Sequence, residues 1–474
     1  MFFEEFPHGK EKKNILGRFL LMTNEATAQP FYKNIPRKRQ AKTDFQKTHS
    51  NEAPSFEKKT AFFERPPVAV KRVMKLFDRE KIPADAKAIL DDFDAIIQGV
   101  RPLNAKQRTL LSKDIANLSR ALTSERSERR MGYMNETTAL TAYAHYFTWW
   151  NLVRLTRLFA SLPADSFALA DGDFCLDIGS GPLTVPIALY LSRPELRAKS
   201  LTWYCLDYSQ NSLALGEDLF LSVAARLGGE CAWKIIRVKG GIGTSIKHKA
   251  ALITSANMFN ETLGEGEANL ELLAKKQALA LMSYADTGSE DARKNPSILV
   301  IEPGVPLAAR FISLLRAALI RRSYGVLSPC PHFQECPMNG QRHGKNGRAG
   351  KWCNFAFSTL DAPKKLLKLS ENAKLPKDRA VLSYVFVRLN AKEPPLTSPL
   401  FRIASDKIRL DGHKTGHYAC TADGLSLLVD GKPMRIELCS GDLVELSEKK
   451  TKDSVKSLPR DEKSGAFIQT VVRK

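Results

Sequence analysis

The sequence predicts an α/β protein with a doubly wound parallel sheet at its centre, a helical domain before the sheet and a small antiparallel β-barrel after it. A strand, a glycine turn and a helix follow one another directly at residues 174–191. Apolar strands then alternate with helical stretches as far as residue 389, which is typical of a parallel sheet with helices on both faces. Beyond residue 400, short strands separated by Asp-Gly turns favour a barrel.

The central stretch, FCLDIGSGPLTVPIALYL at residues 174–191, organises the rest of the chain. Its first five residues form a short apolar run with one acid, as a buried parallel strand does. Gly179 and Gly181 permit backbone angles closed to other residues, so a ligand can lie against the main chain. Pro182 suits the first position of a helix. The unpaired amides of that helix therefore face whatever occupies the turn.

The next predicted strand, residues 201–206, ends in Asp207. In open parallel sheets the ligand lies beyond the carboxyl ends of the strands, where an acid accepts hydrogen bonds from ribose hydroxyls. A bare glycine turn also occurs in parallel-sheet proteins without a ligand. With the second acid, the pattern resembles the class I S-adenosylmethionine-dependent methyltransferases over roughly residues 171–389. The resemblance implies that S-adenosylmethionine is bound by Asp177, Gly179, Gly181 and Asp207.

Composition bounds the class of partner. The chain has 474 residues, a length that indicates two or three domains. Its formal net charge of +21 and its pI near 9.6 favour a polyanionic partner, and nucleic acid is favoured over a membrane surface. A merely basic soluble protein is the alternative. No run of about 18 apolar residues occurs, and the first residues are too charged for a secretory signal. We therefore expect a cytoplasmic protein with reduced cysteines that is a monomer when free.

The region before the sheet divides into an arm and a helical domain. Residues 1–67 are polar with basic runs, which predicts a flexible arm that either lies along RNA phosphates or is a solvated tail. Residues 68–165 have helical periodicity and end in an aromatic stretch. We expect these aromatic side chains to pack a helix against the sheet or, where exposed, to stack on bases. They are Tyr133, Tyr143, Tyr146, Phe147, Trp149 and Trp150.

The remaining strands of the sheet are predicted at residues 233–238, 250–255 and 298–302. The fourth strand is followed by SANMFNE, where methyltransferases of this fold place residues that touch the substrate. Asn257, Asn260 and Glu261 are therefore the catalytic candidates. The Asn/Asp-Pro-Pro-aromatic box of enzymes that methylate nucleobase amines is absent, and the third strand does not end in an acid that could hold adenine. Both departures weigh against catalysis.

The cysteine segment, residues 328–355, places Cys330, Cys336 and Cys353 in one glycine-rich, basic loop, SPCPHFQECPMNGQRHGKNGRAGKWCNF. Thiolates are soft ligands that suit zinc or an iron-sulfur cluster, so this spacing predicts a metal site. Free buried cysteines without metal are the alternative. A fourth ligand is needed. The candidates are His332 and His343 within the segment and Cys420 and Cys439 beyond it.

A closer family resemblance follows from motifs spread over residues 129–429: YMN with an aromatic helix, LDIGSGP, IEPG, CPHFQECP, WCNF and CTADG. Together they resemble the methyltransferase-like assembly proteins of the mitochondrial small ribosomal subunit and their bacterial relatives. The resemblance implies a four-iron, four-sulfur cluster on Cys330, Cys336, Cys353 and Cys420. It also implies binding to the head of the small subunit during maturation, with ribosomal RNA and ribosomal proteins as partners.

The chain after the cysteine segment completes the sheet and adds a second module. VLSYVFVRL at residues 381–389 suits a last, antiparallel strand, so the methyltransferase-like domain is placed at residues 166–393. Residues 400–448 are predicted to form a small barrel similar to an OB fold, which either holds RNA or is a packing module. Residues 449–474 are predicted to be a charged tail with a short terminal strand.

Three functions are consistent with these patterns. The first is a maturation factor of the small ribosomal subunit that binds ribosomal RNA and carries an iron-sulfur cluster. The second is an active RNA methyltransferase, in which polar guides align the acceptor with an already reactive methyl group. The third is a zinc-dependent RNA-binding module without cofactor. Metal content separates the third function from the first.

Overall fold

The computed structural model describes residues 67–125, 132–263, 269–287, 295–343, 348–395, 400–431, 437–447 and 458–473. The predicted arm lies outside these residues, except for Pro67. The α-helices in the described residues are α1 (Ala84–Asp91), α2 (Phe93–Val100), α3 (Ala105–Leu122), α4 (Thr137–Ala142), α5 (Trp149–Ser161), α6 (Thr184–Ser192), α7 (Pro194–Arg197), α8 (Gln210–Leu227), α9 (Phe259–Thr262), α10 (Leu270–Met282), α11 (Pro306–Ile320) and α12 (Lys364–Asn372). A π-helical segment, Tyr143–Thr148, joins α4 to α5, and short 3-10 turns occur at Arg79–Lys81, Tyr133–Asn135, Ala164–Phe167 and Asp411–His413.

The strands form a large central sheet, a barrel and a short two-stranded ribbon. They are β1 (Val68–Met74), β2 (Phe174–Ile178), β3 (Thr202–Asp207), β4 (Lys234–Lys239), β5 (Leu252–Ala256), β6 (Ser297–Pro303), β7 (Tyr324–Ser328), β8 (Arg342–His343), β9 (Arg348–Ala349), β10 (Phe355–Ser358), β11 (Arg379–Leu389), β12 (Leu400–Ile403), β13 (Ile408–Arg409), β14 (Thr415–Thr421), β15 (Gly424–Asp430), β16 (Leu443–Leu446) and β17 (Phe467–Arg473).

The central sheet has the predicted doubly wound topology. Strands β2 to β6 are parallel and lie in the order β4-β3-β2-β5-β6, and β11 is antiparallel beyond β6. Strands β7 and β10 both pair with β11. The chain order reverses between β2 and β5, so the crevice at their carboxyl ends is the expected position for a ligand. The parallel strands predicted from apolar runs and the antiparallel last strand are thus confirmed.

Both faces of this sheet are covered by helices because its strands carry apolar side chains in both directions. Cys175 of β2 belongs to one hydrophobic core, together with residues of α5, α6 and α8. Leu176, the next residue, belongs to a second core with residues of α10 and α11. This alternation has the period of two that a strand imposes on its side chains.

The helical region does not have a core of its own. Phe93 of α2, Ile115 of α3 and Trp149 of α5 are buried in the same core as Trp203 of the sheet. Helices α1, α2 and α5 contact α6 and α8, the helices that cover this face of the sheet, and so share one core with it. The helical region at residues 68–165 is thus present, and its independence as a domain is not confirmed.

The second module is a closed six-strand barrel. The ring runs β12-β16-β1-β17-β15-β14 and closes where β14 pairs with β12. Its interior contains Val70, Phe401, Leu428, Val444 and Val471.

The predicted limits of this barrel were too narrow. Strand β1, which falls in the predicted helical domain, and β17, which falls in the predicted charged tail, both belong to the ring. Both pairings of β17 are parallel, so the barrel is mixed rather than wholly antiparallel. Without β1 and β17, the edges of β16 and β15 would leave backbone groups unpaired. None of the described helices is long and apolar enough to cross a membrane.

Candidate functional site

A cavity of about 280 Å³ opens at the carboxyl ends of the parallel strands, and we call it the cofactor cavity. Its walls come from the loops after β2, β3, β4 and β5 and from the segment that precedes α4. It is lined by Gly132, Tyr133, Met134, Tyr143, Ile178, Gly179, Gly181, Asp207, Tyr208, Ser209, Gly240, Gly241, Ile242, Ala256, Asn257, Met258, Glu261 and Thr262.

The glycine turn forms the floor of this cavity. Gly179 has φ +70°, and a Cβ atom there would lie 2.5 Å from Cγ of Met258, so a larger residue fits neither the backbone angle nor the space. The amides of Gly179 and Ser180 both donate to the carbonyl oxygen of Leu206 at 2.9 Å, which fixes the turn against β3. The turn therefore brings main chain to the cavity surface, as its sequence predicts.

Asp207, at the end of β3, is held by backbone donors and lines the cavity. One carboxylate oxygen accepts from the amide of Gly181 at 2.9 Å, and the other accepts from the amide of Ser209 at 2.8 Å. Burial raises the pKa of Asp207, although these backbone hydrogen bonds oppose the shift. A carboxylate has about four lone-pair positions, so this one retains capacity for ligand hydroxyls.

Asp177, in contrast, is not at the cavity surface. Its side chain lies in the interior, where one carboxylate oxygen accepts from the hydroxyl of Thr254 on β5 at 2.6 Å. Burial raises the pKa of Asp177 to about 7, against the opposing effect of the Thr254 hydrogen bond. Its side chain links β2 to β5 beneath the glycine turn, and its contact with the cofactor stays a prediction.

The loop after β5 supplies the polar candidates. Asn257 has φ 60°, and together with Glu261 it lines the cavity, whereas Asn260 is absent from the described lining. The amides of Phe259 and Asn260 both donate to Glu302 at 2.9 Å. Glu302 is fully buried at the end of β6 and fixes this loop, a role that sequence reasoning missed. The signal was present as a lone acid at the end of an apolar strand.

The segment before α4 forms the opposite wall. The hydroxyl of Tyr133 donates to Oε1 of Glu261 at 3.3 Å, and the hydroxyl of Ser209 donates to Oδ1 of Asn135 at 2.8 Å. Tyr133 lines the cavity from this segment, and Tyr143 lines it from the π-helical segment after α4. These contacts place part of the aromatic stretch at the site, a connection that sequence reasoning did not make.

The other aromatic side chains of this stretch serve the packing role. Tyr146, Trp149 and Trp150 are buried. The indole nitrogen of Trp149 donates to the carbonyl of Leu90 at 2.8 Å, and that of Trp150 donates to the hydroxyl of Ser370 at 3.1 Å. The packing interpretation is confirmed for these three residues, and they are not available to stack on bases.

Arg154 lies behind the polar candidates, and sequence reasoning missed it too. One of its nitrogens donates to Oδ1 of Asn257 at 3.5 Å, and another donates to the carbonyl of Val381 at 3.2 Å. Burial lowers the pKa of Arg154 and raises that of Tyr143 well above its usual range. The guanidinium orients the Asn257 amide so that its oxygen faces the protein.

The structure brings together the thiols predicted as metal ligands, and we call this group the cysteine cluster: Cys330, Cys336, Cys353 and Cys420. Cys336 and Cys420 are buried, and Cys330 and Cys353 are half-buried. Burial raises the pKa values of Cys336, Cys353 and Cys420, and the negative charges of neighbouring cluster thiolates raise them further. The positive charge of Arg316 opposes these shifts without cancelling them, so the three thiols are held in the neutral form.

The alternative fourth ligands are distributed differently. His332 lies beside the cluster, with its Nε2 atom 3.0 Å from the sulfur of Cys420. The side chain of His343 lies outside the described residues. Cys439 is exposed and neighbours Asp442 and Arg72 instead. The geometry thus favours Cys420 over Cys439 as the member from the barrel.

Two buried arginines supply positive charge next to the cysteine cluster. Burial alone would lower the pKa of Arg316, but the thiolate charges of Cys330, Cys336 and Cys420 raise it overall. Burial lowers the pKa of Arg402, and the thiolate charges of Cys330 and Cys353 act in the opposite direction. Such cations stabilise thiolates, which is what a metal site needs.

A single metal ion has no prepared site in the described part of the chain. No group of three or more His, Cys, Asp or Glu side chains there is placed to hold one. Zinc draws sulfur ligands to about 2.3 Å from one centre. The sulfur donors and the positive charge of Arg316 and Arg402 are nevertheless present together at the cysteine cluster.

A comparison with protein families assigns this chain to a family. The profile of the family described as mitochondrial small ribosomal subunit Rsm22 matches residues 171–423. The chain belongs to this family. The matched Rsm22 region contains the glycine turn, Asp207, the whole cysteine segment and Cys420, so both parts of the site lie within it. It does not include β1 or β17, which complete the barrel.

Solved structures give weaker similarities. A putative RNA methyltransferase from Pyrococcus horikoshii is 11% identical, covering 58% of this chain and 100% of its own, with a TM-score of 0.27. A putative class I enzyme from Listeria monocytogenes is 9% identical, covering 66% and 90%, with a TM-score of 0.28. An enzyme from Geobacter sulfurreducens in complex with S-adenosyl-L-homocysteine is 12% identical, covering 57% and 97%, with a TM-score of 0.27. No curated protein matches this chain significantly. Membership of the Rsm22 family therefore rests on the profile match.

Proposed function

We propose that this protein is a cytoplasmic maturation factor of the small ribosomal subunit that binds ribosomal RNA and ribosomal proteins and carries a four-iron, four-sulfur cluster. The observation that carries the proposal is the convergence of thiols from two parts of the fold. Cys330, Cys336 and Cys353 come from the loop beside the sheet, and Cys420 comes from the barrel. The family description supplies the ribosomal subunit.

The cluster would be held by those cysteines. Metal affinity in such a site is also folding free energy, because the unfolded chain does not present the ligands together. When bound, the cluster would supply a rigid link between sheet and barrel. The protein's own residues supply the charge balance: Arg316 and Arg402 lie against the thiolates. We infer a structural role for the cluster from this position between two modules.

Metal analysis tests this part of the proposal. The full chain is purified without oxygen, and iron, acid-labile sulfide and zinc are measured per chain. We expect about four irons and four sulfides with little zinc, as the four-iron formula requires. Zinc at about one per chain with no sulfide would instead support the zinc-dependent RNA-binding module and overturn the cluster.

Binding of ribosomal RNA rests on charge and on the barrel. The formal net charge of +21 favours a polyanion, and the barrel, which we propose to be OB-like, is a fold that commonly binds RNA. Lys351 of the cysteine segment lies 3.8 Å from the ring centroid of Tyr418 on β14, so basic loop and barrel form one surface there. Arg342, Lys345 and Arg348 belong to the same segment, but their side chains lie outside the described residues.

Co-sedimentation with purified small subunits tests this part. We expect the full chain to pellet with small subunits and not with large ones, and its affinity to fall steeply between 50 mM and 200 mM salt, because a basic protein releases condensed counterions. Equal binding to both subunits, or an affinity insensitive to salt, would contradict a specific ribosomal RNA contact. Cell fractionation tests the proposed cytoplasmic location.

An active S-adenosylmethionine-dependent methyltransferase is the second candidate. A specific observation favours it, because Asn257 and Glu261 share a cavity with Asp207, so a polar group stands where an acceptor would approach a bound cofactor. Alignment alone can accelerate transfer of an already reactive methyl group. Incubation of small subunits with methyl-labelled cofactor tests this candidate. Label in ribosomal RNA that disappears with Asp207→Ala would support it, and absence of label despite measured cofactor binding would leave a binding role only.

A further inference from the structure

A second and larger cavity, which we call the arginine cavity, lies between α10, α11 and the cysteine segment. Its volume is about 480 Å³, a size typical of sites for small organic ligands. No described residue lines both this cavity and the cofactor cavity. It touches the cysteine cluster only through Cys336, so it is a separate space.

The charges around the arginine cavity are predominantly positive. Its described lining includes the cations Lys275, Arg310, Arg316 and Arg321 against the carboxylates Glu271 and Glu335. Glu271 is already paired, since Lys275 lies 2.7 Å from its carboxylate. The hydrogen bond from Lys275 lowers the pKa of Glu271, and the charges of Arg321 and Arg310 lower it further, which indicates that these guanidinium groups face the same space.

Donors in this wall lack acceptors. The Nε atoms of Arg310 and Arg316 are both buried without a hydrogen-bond partner. Arg316 is buried as a whole and donates from its other end to the carbonyl of His332 at 2.8 Å. These Nε atoms are closed to a ligand by their burial, so a ligand would bind through the outer nitrogens of Arg310 and of the exposed Arg321, and an acceptor with several oxygen atoms suits this pair of cations. The paired N–H donors of a guanidinium group match the oxygens of a phosphate in spacing as well as in charge.

The remaining wall is apolar. Leu314, Ile320 and Phe333 line the cavity beside the arginines. Phe333 is half-buried, and its ring packs directly against Gly325, where a Cβ atom would lie only 2.6 Å from the ring. A ligand with one charged end and one flat apolar end would satisfy both halves of the wall.

We propose that the arginine cavity binds a nucleoside monophosphate group, with the phosphate on Arg310 and Arg321 and the base against the apolar wall. Two kinds of ligand carry this group, a phosphate monoester on a nucleoside. It could come from a free nucleotide or from the 5′-phosphorylated end of an RNA strand. This inference does not depend on cofactor binding or on methyl transfer.

Uridine monophosphate is the probe, because it lacks the adenine that would direct it to the cofactor cavity. Binding to the full chain is measured by calorimetry, with uridine as the uncharged comparison and inorganic phosphate as the fragment. We expect uridine monophosphate to bind, and uridine to bind at least tenfold more weakly. Dinucleotides with and without a 5′-phosphate separate the two sources: a preference for the phosphorylated dinucleotide over the mononucleotide would assign the RNA end, and the reverse would assign the free nucleotide.

Variants locate the binding. Arg310→Met and Arg321→Met are both expected to weaken uridine monophosphate at least tenfold, and Arg321 is exposed, so its replacement does not threaten folding. Arg226→Met, an exposed arginine on α8 outside the cavity, is the matched control and should bind as the wild type does. Equal affinity for uridine monophosphate and uridine, unchanged affinity in both cavity variants, or no binding of any probe at millimolar concentration would overturn the proposal.

Discussion

Arg402, on the barrel strand β12, donates a hydrogen bond of 2.6 Å from Nε to the carbonyl oxygen of Pro329 in the cysteine segment. Another nitrogen of the same guanidinium donates to the carbonyl of Gly441 in the barrel at 2.7 Å. Arg402 is buried. One side chain thus joins the barrel to the loop that carries Cys330, Cys336 and Cys353, independently of any metal.

This relationship predicts that Arg402→Met loosens the barrel from the sheet. Two buried carbonyl groups lose their donor, and each such loss costs about 1–3 kcal/mol, so the free energy of unfolding is expected to fall by about 2–4 kcal/mol. Urea titration of the full chain measures it. Arg409→Met, an exposed arginine on β13, is the control and should stay within about 0.5 kcal/mol of the wild type. An equal effect in both variants would contradict the link.

The sequence was sufficient to place the sheet and the ligand crevice because those signals are local. An apolar run, a glycine turn and a strand-end acid lie within a few residues of one another, and each has a direct physical meaning. Gly179, Gly181 and Asp207 therefore reached the cofactor cavity as expected. Asp177 does not line this cavity, because its carboxylate lies in the core against the hydroxyl of Thr254 on β5, a partner that the sequence does not reveal.

Only the barrel strands within residues 400–448 were predicted from the sequence, because the other two strands come from distant parts of the chain. Val68–Met74 and Phe467–Arg473 pair with each other in parallel, and neither has a neighbour in sequence that would reveal the pairing. Arg154 and Glu302 were missed for a related reason. Their functional meaning arises from contacts with Asn257 and the α9 amides, which only the folded chain creates.

A second prediction concerns Asp177 and pH. Its pKa in the folded protein is raised to about 7, above the value of about 3.9 in an unfolded chain. The folded state therefore holds the proton more tightly, and this group favours folding most at low pH. Its contribution is lost as pH rises from about 4 through about 7, by up to about 4 kcal/mol.

Asp177→Asn should remove that component, because the amide oxygen can still accept from Thr254 and carries no charge. The difference in unfolding free energy between pH 5 and pH 7.5, measured by urea titration, is expected to shrink in this variant. Asp218→Asn, which replaces an exposed carboxylate on α8, should keep the slope of the wild type. Parallel slopes for the wild type and Asp177→Asn would contradict the assignment.

A third prediction separates backbone strain from a blocked cavity. Gly179→Ala introduces a methyl group 2.5 Å from Met258 Cγ, at φ +70°. Gly412→Ala introduces the same group at φ +69° and ψ 31° with nothing within 4 Å. Both variants should lose about 1–2 kcal/mol of stability through left-handed strain, but only Gly179→Ala should lose S-adenosylmethionine binding. Calorimetric titration checks this, and loss of binding in both or in neither variant would show that the contact with Met258 is not the cause.

The last prediction tests which cysteine of the barrel completes the proposed cluster. Cys420 is buried among Cys330, Cys336 and Cys353, whereas Cys439 is exposed, with its amide donating to Asp442 at 2.9 Å. Cys420→Ser should therefore lose iron and the visible absorbance of the cluster, and Cys439→Ser should retain both. Because ligand binding in such sites is folding free energy, Cys420→Ser should also increase proteolysis between residues 390 and 400, where sheet and barrel are joined.

Arg402→Met supplies the comparison that distinguishes a metal link from a hydrogen-bonded link. It removes the donor to Pro329 and leaves every cysteine in place. If the cluster is the main clamp, Arg402→Met retains most of its iron and is cleaved more slowly than Cys420→Ser. Should Cys439→Ser lose the iron while Cys420→Ser keeps it, the fourth ligand is Cys439. Should neither change it, the fourth ligand comes from the cysteine segment itself, with His332 beside Cys420 as the nearest described histidine, and the barrel is held by Arg402 and its neighbours alone.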